Sequence, residues 1–265
     1  MKNDDDRYSL MMDAYTELKP ELDTTRPSKP ASAPAAPVLS QVLAGFGPMP
    51  DEALFLGVAS DELPVLLNLH DPLPGPILII GDPGTGKTAL LQTIVRAAGQ
   101  MHQPENVQLG ALTSRPDEWS GFEDVPNAVG VFSVHDRSSE DFILSLASWA
   151  HGNKSSRQSV LLLVDGLNAV TNMEVDAIQN LRWLLLRGPT RRVWPIITLS
   201  TQAIEKMEPW LDAFRTRILG TIEDESLIHM LDADQANLES LEPGSEFTLR
   251  EGNRWLRFWV PASGE

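Results

Sequence analysis

The sequence predicts an α/β fold, a mostly parallel sheet covered by helices. Three observations lead there. The runs 77–80 (ILII) and 160–164 (VLLLV) are continuously apolar rather than alternating, as strands buried on both faces must be. Strand-like and helix-like segments then alternate along the chain, the order that builds a parallel sheet. Finally, 265 residues with a 42% hydrophobic fraction suffice for one sizeable domain with appendages but not comfortably for two.

Taken in order, the elements begin after an unusual leader. Tyr8, Met11, Tyr15 and Leu18 recur at helical spacing and form one apolar stripe. So short a helix is marginal alone, so the segment reads either as an unfolded tail or as a peptide that docks on a protein partner. The stretch RPSKPASAPAAP at 26–37 is a semi-extended linker that joins no core. Residues 1–50 are therefore assigned to an N-terminal tail and 51–265 to the domain, whose folded part starts near Leu54.

Two strands, 54–58 and 64–69, surround the turn at 59–62. Further strands are expected at 77–80, 107–112, 129–134, 160–164, 196–200 and 217–221. Helices are expected at 89–98, 141–150 and 175–186. Segments 247–249 and 255–260 pair as a closing C-terminal β-hairpin across Glu251, Gly252 and Asn253.

Composition excludes several chemistries. There is no cysteine, so disulfides, thiolate metal sites and cysteine nucleophiles are out. The five histidines are scattered without ligand spacing, and no apolar run reaches the ~20 residues of a membrane span. The acidic start, Met1 to Asp6, lacks a signal-peptide core, and a cytoplasmic protein is expected. A net charge of −16 speaks for solubility and against a broad basic face for nucleic acid, though it leaves room for a narrow basic pore.

Residues 81–88 read Gly81, Asp82, Pro83, Gly84, Thr85, Gly86, Lys87, Thr88, with Ala89 opening the helix behind them. This is the phosphate-binding P-loop, G-x-x-x-x-G-K-[S/T]. A chance match in a chain this long is on the order of one in a hundred, and the strand before and helix after lower that further. The glycines allow positive φ, so successive N–H groups turn toward phosphate oxygens, and the helix adds its positive end. ATP is the implied ligand. Lys87 is assigned to the β- and γ-phosphates and Thr88 to Mg²⁺. Asp165 ends the run 160–164 at the carboxyl edge of a strand, where it shares the Mg²⁺ site; the competing reading is a turn cap before Gly166.

Many hydrolytic P-loop enzymes carry a glutamate directly after this aspartate, and here Gly166 stands there. Weak or conditional turnover is expected, and restoring a glutamate is expected to raise it where the backbone tolerates one. Asn168 is a candidate for orienting water, and Glu174 is either a base or a helix-start residue.

The order of motifs resembles the FtsK/HerA branch of P-loop ATPases, ring-forming motors that include DNA translocases and type VII secretion ATPases. The resemblance is carried by the entry strands at 54–69, the P-loop, the segment ITLSTQ at 197–202, FRTRI at 214–218, and the closing LEPGSEF at 241–247. It implies a RecA-like domain, ATP hydrolysis, and a homo-oligomeric ring such as a hexamer acting on DNA. It also implies that Gln202 reads the γ-phosphate and positions water. Arg191 stands where the family keeps an arginine finger that reaches a neighbouring subunit; the plainer reading of Arg191 and Arg192 is a pair of loop charges. Arg217 resembles a family arginine near the site, with a structural ion pair as the competing reading. Two alternatives to a DNA motor stay open, a nucleotide-gated assembly protein with weak hydrolysis and a type VII-like ATPase that moves protein.

Overall fold

The computed structural model describes residues 37–153, 155–251 and 254–262. The apolar stripe at Tyr8, Met11, Tyr15 and Leu18 and the linker up to residue 36 lie outside them. The chain from Pro37 onward is one compact unit. It opens with helix α1 (Leu39–Phe46), the strands β1 (Ala53–Ala59) and β2 (Pro64–Asn68), then β3 (Ile77–Gly81) and α2 (Lys87–Met101). Next come β4 (Val107–Thr113), β5 (Ala128–Ser133), α3 (Arg137–Gly152), β6 (Ser159–Asp165) and α4 (Leu167–Val170). The remainder is α5 (Val175–Arg187), β7 (Val193–Ser200), α6 (Ile204–Leu211), β8 (Thr216–Leu219), α7 (Glu225–Met230), β9 (Glu246–Glu251) and β10 (Arg254–Trp259).

The strands form one sheet in the order β2-β1-β10-β9-β8-β3-β7-β6-β4-β5. From β8 to β5 the pairings are all parallel, and from β8 to β2 they are antiparallel. The parallel half is the fold class the sequence predicts. Its strands alternate sides internally, which explains why they read as unbroken apolar runs. Leu78, Ile80, Leu162 and Val164 face a core closed by Ile143, Leu181 and Leu184 of α3 and α5. Ile77, Ile79, Leu161 and Leu163 face the other core, closed by Leu90, Leu91 and Ile94 of α2. Both faces are therefore dry, and substrate can approach only along the strand ends.

The packed unit begins earlier than the expected start near Leu54. Leu39 of α1 is only 2% exposed and packs with Phe55, Val58 and Ala97. Leu39→Ala should therefore destabilise the protein by about 2–5 kcal/mol, as cavities in cores do. Chemical denaturation of both proteins checks this; an unchanged midpoint would mean that α1 is not part of the cooperative unit.

Candidate functional site

The P-loop joins β3 to α2 at the carboxyl edge of the parallel strands. Gly86 has φ +83, and a Cβ there would lie 2.7 Å from the Gly244 Cα, so conformation and space both demand glycine. Asp82, inside the loop, acts as a strap. Its carboxylate accepts hydrogen bonds from the Thr201 hydroxyl, just past β7, and from the Glu223 N–H at 2.9 Å, past β8. Its carbonyl accepts from the Thr85 hydroxyl at 2.9 Å. The loop is thus held open from behind by the two strands that flank β3.

Lys87 donates to the carbonyls of Gly81 at 2.9 Å and Asp82 at 2.7 Å. Burial pushes its ammonium below the ordinary lysine range; Asp82 and Asp165 pull it back up, while Arg115 pushes it further down. A partly desolvated cation in the first turn of a helix is a place where a polyphosphate gains on entering.

Asp165 lies at the end of β6, opposite Thr113 of β4, and is 7% exposed. Both its carboxylate oxygens are 3.0 Å from the Thr88 hydroxyl. Thr198 of β7 donates to it at 3.0 Å and the Trp119 indole N–H at 3.4 Å. The Thr88 hydroxyl and the carboxylate form a hard-oxygen pair, the donor set that fits Mg²⁺ completing its shell with water and phosphate. Among the described residues no cluster of three or more acidic or histidine ligands exists.

A cleft of about 520 Å³ opens between these groups. Pro83, Gly84, Gly86, Lys87, Thr88 and Asp165 line it, and Gly166, Asn168 and Gln202 share the wall. Gly81, Asp82 and Thr85 build the loop from behind it, and Ala89 sits in the first turn of α2. Thr198, Ser200, Arg115 and Glu118 also face this cleft, although sequence reasoning had not singled them out. The Ser200 hydroxyl is buried without a hydrogen-bond partner among the described residues. The signal that could have found Arg115 and Glu118 is positional. They follow β4, which ends at the same sheet edge as β3 and β6.

Three other residues singled out in the sequence lie elsewhere. Arg191 closes the short turn Pro189–Arg191 before β7, at the amino edge of the sheet. It is therefore a full strand length, roughly 25 Å, from its own P-loop. Its guanidinium donates to the Asn153 carbonyl at 3.3 Å, and the Asn153 side chain donates to the Arg191 carbonyl at 3.1 Å. Arg217 donates to the Leu211 carbonyl at 3.1 Å and does not line the cleft. Glu174 precedes α5, with its N–H on the Glu140 carboxylate at 2.9 Å; it is the helix-start residue.

Gly166 has φ +104 and ψ 89, a conformation that side chains adopt only under strain. This tells against restoring a glutamate there. Gly166→Ala should cost about 1–3 kcal/mol of stability although no atom lies closer than 3.7 Å to the added Cβ. Denaturant titration measures it, and a neutral result would show that the turn relaxes freely and that a glutamate is admissible.

Residues 75–231, more than half of the chain, match the NACHT domain. The chain belongs to the NACHT family. No curated protein matches it. Solved structures similar to this NACHT chain include ATPases. EssC (ATPases 2 and 3) from Geobacillus thermodenitrificans superposes with a TM-score of 0.68 at 13% identity, over 89% of this chain and 49% of EssC. The conjugation coupling protein TcpA of pCW3, solved as a monomer with ATPγS, gives 0.65 at 12% identity over 95% and 82%. B204, the DNA-packaging ATPase of Sulfolobus turreted icosahedral virus, gives 0.51 at 12% identity over 70% and 97%. The NACHT chain spans about half of the EssC structure. Its fold is that of these solved ATPases. No helix among the described residues is long and apolar enough to cross a membrane.

Proposed function

We propose that this chain binds ATP with Mg²⁺ and hydrolyses it as one subunit of a ring that moves a polymer, DNA first among the candidates. The observation that carries the reading is the joint placement of Lys87, Thr88 and Asp165 around one cleft at the carboxyl edge of the sheet. Lys87 and the loop amides take the phosphates. Thr88 and Asp165 would hold Mg²⁺, which when bound neutralises phosphate charge. Gln202, on the cleft wall just past β7, is assigned to the γ-phosphate and its water. Arg191 is assigned to a neighbouring subunit's cleft, since it lies far from its own. That DNA is the polymer rests on the resemblance to DNA translocases and on the likeness in fold to a DNA-packaging ATPase.

One observation favours the rival, a nucleotide-gated assembly protein: the position after Asp165 is a glycine in a backbone conformation that resists a side chain. Turnover in the motor reading is correspondingly weak until a neighbour completes the site. The test is ATP turnover across protein concentration, with and without double-stranded DNA. The motor reading expects a rate per subunit that rises with both. Turnover insensitive to DNA in a protein that assembles only when ATP is bound would replace it with the rival.

A further inference from the structure

The cleft has two carboxylates on its wall, and they are in opposite situations. Asp165 is buried and accepts from three side chains, Thr88, Thr198 and Trp119. Such a group is committed to holding its neighbours. Glu118 instead has a side chain 42% exposed, paired with Arg115 at 2.6 Å. It projects from the short turn Pro116–Trp119 that follows β4.

That turn is fastened to the site at two points. The Gln92 side chain of α2, the helix that starts at the P-loop, donates to the Glu118 carbonyl at 2.7 Å. The next residue, Trp119, is 3% exposed and reaches Asp165 with its indole N–H. The backbone of Glu118 is thus tied to the phosphate-binding helix and its chain neighbour to the strand-end aspartate. Meanwhile Gly166, the position beside Asp165, offers no side chain and disfavours one.

From this geometry we infer that Glu118 is the carboxylate that activates water for attack on the γ-phosphate. The inference rests on the ATPase reading given above. In the step, a water O–H bond breaks and its proton passes to the Glu118 carboxylate. The water oxygen forms the new bond to the γ-phosphorus, and the bond from that phosphorus to the terminal ADP oxygen breaks with the electron pair leaving on ADP. Glu118 then returns its proton to solvent, leaving ADP and inorganic phosphate. Arg115 faces the same cleft, so entering phosphate competes with Glu118 for its guanidinium and frees the carboxylate when substrate is present.

The test compares wild type with Glu118→Gln and Glu118→Asp, using full-length protein. Melting temperature should stay at the wild-type value, because Glu118 is a surface side chain outside the core, and ATPγS affinity by calorimetry should not fall, because the substitution removes a competitor for Arg115. ATP turnover should fall by about 10²–10⁴-fold in Glu118→Gln, the range for loss of a general base, with part of it regained in Glu118→Asp. Wild-type turnover that persists in Glu118→Gln would overturn this inference alone. Affinity falling in step with turnover would make Glu118 a binding residue and also overturn it. A wild type that binds ATPγS but never hydrolyses ATP would overturn the hydrolytic reading and this inference together.

Discussion

Lys87→Ala should take ATP turnover below detection and weaken nucleotide binding by about ten- to a hundred-fold, with the fold intact. The affinity figure follows from losing a charge-assisted contact of roughly 1.5–3 kcal/mol. The turnover loss is larger because charge accumulates on the phosphoryl oxygens as the bond breaks, so the ammonium does more in the transition state than in the ground state. The fold should survive because the protein partners of the Lys87 ammonium lie within its own loop: the carbonyls of Gly81 and Asp82 and, at 3.4 Å, the Thr85 hydroxyl. Removing it also relieves the burial that pushes the ammonium below its ordinary range. Calorimetry with ATPγS, a turnover assay and a melting curve make the test complete. Unchanged affinity together with unchanged turnover would end the assignment of this loop as a nucleotide site.

The sheet was legible because burial on both faces writes itself into composition. Residues 77–80 and 160–164 read as strands because every side chain in them meets a core. The helices that escaped sequence reasoning each have a local reason. Helix α1 follows a proline-rich stretch and has no side-chain cap, and α6 contains Pro209, which reads as a breaker. Helix α4 is four residues long, too short to show a period. The site divides in the same way. Lys87 and Thr88 belong to a contiguous motif, and Asp165 could be placed because its strand announces where it ends. The grip of Thr198 and Trp119 on Asp165 is tertiary. It depends on β6 lying between β4 and β7, an order that crosses the sequence and leaves no local trace. Glu118 was missed for a related reason. The cleft takes its second carboxylate from the end of β4, which β5 and α3 separate from β6 in sequence although the two strands are adjacent in space.

Arg191→Ala should lower turnover by ~10³-fold or more, the range for an arginine finger, while ATPγS affinity changes little. The argument is geometric. Arg191 precedes β7 and the P-loop follows β3, and these strands run parallel, so the two groups sit at opposite edges of the sheet. No rotamer of an arginine spans a strand length, so any action on a γ-phosphate has to be on a neighbour's. In its own subunit the side chain is half-buried and meets the Asn153 carbonyl at 3.3 Å, an anchor weak enough to exchange for phosphate. Mixing decides the matter. The Arg191→Ala chain keeps an intact cleft, and the Lys87→Ala chain keeps an intact Arg191. Each is expected to be nearly inactive alone, and the two together should regain turnover wherever the first chain's cleft meets the second chain's arginine. Recovery should depend on total protein concentration, as association requires. Full activity of Arg191→Ala, or two inactive variants that never complement at concentrations where wild type is active, would leave Arg191 as a structural contact to the loop after α3.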